Sequence, residues 1–131
     1  MATIGVSFIE SFKTDTDLTA NQFFAVTTGS AANTVILATG GSAPIPIGVL
    51  LNSPSSTQAA EVGFAGRLKM KVDAGTAINN GDLLTVNASG VGTIATGCFA
   101  NGMALGVVAS GCAIIDILWF TNTINIAHNT P

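Results

Sequence analysis

The chain has 131 residues, of which 48% are hydrophobic and only 8% charged, and its net charge is −3. This length suits one domain with a real core. The hydrophobicity excludes a disordered chain, the mild acidity argues against a nucleic-acid binder, and no apolar run approaches the ~20 residues of a membrane helix. So few charges in a folded domain predict a surface of Ser, Thr, Asn, Gly and Ala, partly covered by partner subunits.

Helical periodicity is nearly absent, and β-branched runs recur between Gly, Asn, Ser and Pro. This predicts an all-β fold, a compact β-sandwich or β-barrel. The N-terminal MATIGVSFIESFKTDTD lacks a basic region followed by an apolar one, so no export signal is expected and the chain reads as made in the cytoplasm. Residues 1–17 read as an extended arm, 18–120 as one β domain, and 121–131 as a polar tail. The expected strands are 4–9, 23–27, 35–38, 47–51, 61–65, 68–72, 83–87, 91–94, 104–109 and 113–120, with a single helical turn near 56–60.

A weak repeat runs through the domain. "ANQFFAV" (20–26) lines up with "NGDLLTV" (80–86), and "PIGVLL" (46–51) with "ALGVVA" (104–109), at offsets of about 60 and 58 residues. Two explanations stand: a duplicated β unit (18–65 and 66–120), or chance similarity between simple β strands.

Catalytic chemistry finds little support. General acid–base work and nucleophilic triads need paired titratable groups, and the one histidine, His128, lies in the polar tail. "ATGGSAP" (38–44) lacks the Lys-Ser/Thr of a phosphate loop. No enzyme activity, cofactor or metal site is expected. Cys98 and Cys112 are expected as buried free thiols, with a hairpin disulfide open only in an oxidising compartment. Asp82 is expected to bond backbone N–H groups in a turn, and "NASGVGT" (87–93) reads as a hairpin turn.

Three of the four basic residues, Arg67, Lys69 and Lys71, alternate with Leu68, Met70 and Val72. A strand puts the three on one face. That face is either a solvated, edge-protecting surface or a docking surface for an acidic partner; the absence of interleaved aromatics weakens a third reading, single-stranded nucleic acid. Asp116 interrupts an apolar strand, and a lone buried carboxylate would cost several kcal/mol. It is expected either at a sheet edge or paired with Arg67, Lys69 or Lys71.

The segments "GFAGRLKMKV" (63–72), "VDAGTAINNGDLLTVNASGVGTIAT" (72–96) and "ALGVVASGCAIIDILW" (104–119) resemble the small head decoration (cement) proteins of tailed bacteriophages. The resemblance covers 61–120 and fades back to residue 18. It implies a β-tulip-like fold and a non-enzymatic virion protein on the outer capsid surface, clamping the major capsid protein. It also implies a homo-oligomer, with a trimer favoured, and no membrane or nucleic-acid partner. Under it, the interface residues are Arg67, Lys69 and Lys71 on the basic face, and Ile4, Val6 and Phe8 in an arm that adds to a neighbouring sheet edge. The alternatives are a β-sandwich adhesin or carbohydrate-binding module, or another virion part such as a tail or fibre subunit.

Overall fold

A computed structural model describes residues 8–14, 16–41, 45–96 and 99–125, of which residues 99 and 121–125 by backbone alone. The fold is all-β, with no helix among the described residues. The described residues form nine strands in order: β1 (Phe8–Lys13), β2 (Ala25–Thr28), β3 (Val35–Leu37), β4 (Gly48–Leu50), β5 (Ala59–Ala74), β6 (Leu83–Val86), β7 (Gly92–Ile94), β8 (Phe99–Ala104) and β9 (Gly111–Asn125).

The 16-residue β5 is the spine. The segments expected as two strands around Gly66 form this one strand. Gly66 takes a φ of 89°, which a residue without Cβ adopts at little cost, so the chain bends there without breaking. Before the bend, β5 pairs with β1 and β4; after it, with β9 and β7.

Each part of β5 belongs to its own barrel. In the second half, β5–β7–β6–β8–β9 closes into a ring, since β9 returns to pair with β5 from Ala74↔Gly111 to Gly66↔Trp119. In the first half, the sheet β3–β2–β4–β5–β1 curls until Lys13 bridges Thr34. Two apolar cores match. Leu18, Val26, Val35, Leu50, Ala60 and Val62 fill the first barrel. Leu68, Met70, Leu84, Ile117 and Trp119 anchor the second, joined by Ala25 and Val49 from the first barrel's sheet. The seam between the barrels is therefore part of the larger core.

The pairing partners show that the two halves repeat one arrangement. Ala25↔Val49↔Gly63↔Ile9 forms a row across the first barrel. Leu83↔Met103↔Leu118↔Arg67 forms the corresponding row across the second. Ala25 thus corresponds to Leu83, and Gly48 to Gly102. This differs from the repeat read in the sequence, which set Val26 against Val86 and 46–51 against 104–109. The two matches are shifted by two and by four residues, and hydropathy alone cannot see an even shift, because a period-2 pattern looks the same after it.

Other boundaries also moved. The eighth strand is Phe99–Ala104, not 104–109; there, Val108 makes only an isolated bridge to Ile78. The residues expected to make a helical turn near 56–60 form a tight turn, with Gln58 N–H donating to the Ser55 carbonyl at 3.0 Å. The segment read as an N-terminal arm carries β1, paired with β5 of the same chain, and β9 continues into the segment read as a polar tail.

Candidate partner-binding faces

The basic triplet lies on β5 of the second barrel, with Arg67 and Lys69 exposed and Lys71 half-buried. It does not form three equivalent free charges. Lys69 is the Cα partner of Asp116 on β9, and that register brings the carboxylate under two cations. Arg67 Nη2 lies 2.7 Å from Asp116 Oδ2, and Lys69 Nζ lies 3.0 Å from Asp116 Oδ1. The hydrogen bonds from Arg67, then from Lys69, hold the Asp116 carboxyl below its ordinary pKa, against a smaller opposing effect of burial. Asp116 is not at a sheet edge, since β9 lies between β5 and β8.

Lys71 turns elsewhere. Its Nζ stands 5.5 Å from the centroid of the Phe24 ring, a cation–π distance. Its backbone N–H donates to the Phe23 carbonyl at 2.9 Å. Phe23 holds a left-handed φ of 72°, which is costly for a bulky residue. Its N–H is bound to the Leu50 carbonyl at 2.6 Å and its side chain packs on the second core. The third basic residue thus helps to join the barrels.

Of the expected arm residues, Ile4 and Val6 lie outside the described residues. Phe8 is 57% exposed at the start of β1, with its ring centroid 6.0 Å from that of Phe64. A shift in register between Phe8 and Ile9 leaves both side chains exposed. Beside them a groove of about 450 Å³ opens between Glu10, Phe12, Thr28, Ile45, Pro46 and Phe64.

Two further features were not singled out from sequence. Ile114 and Leu118 are 51% and 39% exposed on the outer face of β9, beside the ion pair. Their alternation with Ile115 and Ile117 was legible, but not which face the core takes. The groove had no sequence signal, because its walls come from three strands and the segment before β4. Cys112, expected to be buried, is exposed; Cys98 lies outside the described residues. Among the described residues, no three His, Cys, Asp or Glu side chains cluster as a metal site would need.

The turn residues take local roles. The Asp82 carboxylate accepts the Asn79 N–H at 2.8 Å. The Asn87 side chain accepts from Ser89 and Val91, with Gly90 at a φ of 82°. Asp17 accepts the Thr19 N–H, which lowers its pKa.

No protein-family model matches the sequence, and no curated protein matches it. Among solved structures, the crystal structure of the head fiber gp8.5 N base in bacteriophage phi29 is similar to this chain, with a TM-score of 0.59 and 19% identity. The match covers 93% of this chain and 99% of the other. The likeness in fold thus runs over nearly the whole of both chains rather than over one barrel.

Proposed function

We propose that the chain is a structural protein of a phage head that sits on the outer surface of the shell, binds the major capsid protein and stabilises contacts between its subunits. The observation that carries this reading is the likeness in fold, across almost the full length of both chains, to the base of a phage head fiber. Two features of the chain support it: the cement-protein pattern in residues 61–120, and exposed apolar side chains at Phe8, Ile9, Ile114 and Leu118. Docking of many identical copies adds weak contacts into a stable coat. A homotrimer is the assembly expected, with no enzymatic activity, membrane or nucleic-acid partner.

A second reading is favoured by the same likeness: the chain is the base of a projecting head fibre, anchored to the shell without clamping it. One experiment separates them. Purified protein is added to heads that lack it; occupancy is read by gel and cryo-EM, and DNA release is followed on heating. The cement role predicts saturable occupancy and release at a higher temperature. A fibre base predicts occupancy with release unchanged. Absence of binding would sink both. Replacing Arg67, Lys69 and Lys71 together with Gln should lower occupancy where the basic face docks; unchanged occupancy makes it a solvated face.

A further inference from the structure

The seam between the barrels shows what the open end of such a barrel accepts. In the second barrel, Leu68 and Trp119 close one end and are 5% and 3% exposed. They are closed by the first barrel, whose outward-facing Ala25 and Val49 belong to the same core and are 0% exposed. By strand register, Glu10 in the first barrel holds the place of Leu68, since each is the partner of the matching strand residue, Val62 or Ile117. Phe64 holds the place of Trp119. Among the described residues no sheet covers this end. Glu10 is exposed, Phe64 is half-buried, and the groove of about 450 Å³ opens between them.

The second barrel carries the counterpart of the covering sheet. Where the first presents Ala25, Val49 and Gly63, the second presents Leu83, Met103 and Leu118, in register across β6, β8 and β9. This apolar row is partly exposed, with Leu118 at 39%. The described residues of one molecule thus display both an uncovered barrel end and an unused covering face.

We propose that two copies of this chain associate head to tail, the Leu83–Met103–Leu118 row of one seating on the open first-barrel end of the next. Charge favours this pairing over one between like ends. The first 65 residues hold one lysine against four acids, a charge of −3, with Glu10 at the groove, whereas the second half is neutral, its three basic residues balanced by Asp73, Asp82 and Asp116, so an end seated on a row avoids the repulsion of two acidic ends. The contact joins unlike surfaces, so it closes as a ring or continues as a filament. It is a property of the purified protein and independent of head binding: a monomer that still decorates heads overturns this contact and the expected homotrimer, and leaves the proposed role on the head standing.

The test uses full-length protein in sedimentation equilibrium and light scattering. Thr28→Arg blocks the open end and Leu118→Glu spoils the row; both positions are exposed. Wild type should be oligomeric, and each variant alone monomeric with an unchanged circular dichroism spectrum. Mixed in equal amounts, the variants should form a one-to-one dimer and nothing larger, because the mixture keeps one intact end and one intact row. Should either fail to fold, Ile45→Glu and Leu118→Gln provide a milder pair. A monomeric wild type, variants that assemble like wild type, or a mixture that stays monomeric would each overturn the proposal; the last is the result for a symmetric contact between like faces.

Discussion

Gly48 and Gly102 hold the same place in the two barrels, each pressed against a backbone carbonyl of the next strand. A Cβ on Gly48 would run into the carbonyl oxygen of Gly63, and one on Gly102 would lie 2.8 Å from that of Leu118. Gly63 and Leu118 are themselves corresponding residues in the repeated arrangement. Gly48→Ala and Gly102→Ala should each destabilise by about 1–3 kcal/mol through overpacking, with Gly48→Ala the worse. Urea titration should show a lower midpoint at constant slope.

Asp116 joins two cations on the outer face of the second barrel. Arg67 and Lys69 are 57% and 61% exposed, so solvent screening keeps the network's contribution small. Asp116→Asn should cost about 0.5 kcal/mol at low salt and less at high salt. The carboxyl has a lowered pKa in the folded state. Its contribution is therefore present above its unfolded pKa of ~3.9 and lost as pH falls through the lower folded value. Acid titration of stability should be shallower below pH ~4 in the variant than in wild type.

Trp119 and Phe64 correspond in position but differ in burial. Trp119→Ala should cost about 3–5 kcal/mol, and Phe64→Ala clearly less, since that ring is half-buried at an open end. Trp119 is also the sole tryptophan. Its emission should be blue-shifted in the native protein and move red in step with circular dichroism during unfolding.

β1 pairs with β5 at six positions, and Phe12 packs on the first core. Deleting residues 2–12 should therefore lower the melting temperature markedly, while deleting 2–7 leaves β1 in place and should change it little. Scanning calorimetry of the two truncations decides the point. Equal melting of both would mean that β1 adds nothing to the barrel.

Cys112 is exposed at the start of β9, across from Asp73. The native protein should react with a thiol reagent without denaturant. Cys112→Ser should lower the number of reacting thiols by one.

How much of this was legible in sequence depended on how local the signal was. The all-β class, the alternation of Arg67 and Lys69 with buried Leu68 and Met70, and the turns at Asp82 and Asn87 follow from neighbouring residues. Period-2 hydropathy and side chains bonding backbone two or three residues away need no distant partner. The expectation that Asp116 needs a cation rested on the cost of an unpaired carboxylate, and Arg67 and Lys69 supply it from 49 and 47 residues away.

The tertiary structure alone decided the rest. A glycine between two apolar runs reads equally as a break or as a bend, and only the sheets on either side of Gly66 make β5 continuous. Register is invisible to a two-residue pattern, so the correspondence of Gly48 with Gly102 emerged only from strand pairing. Which apolar residues end up outside, Leu118 and Phe8 among them, depends on what covers each barrel end. The first barrel covers the second, nothing in this chain's described residues covers the first, and that asymmetry arises from the order of stacking rather than from any single segment.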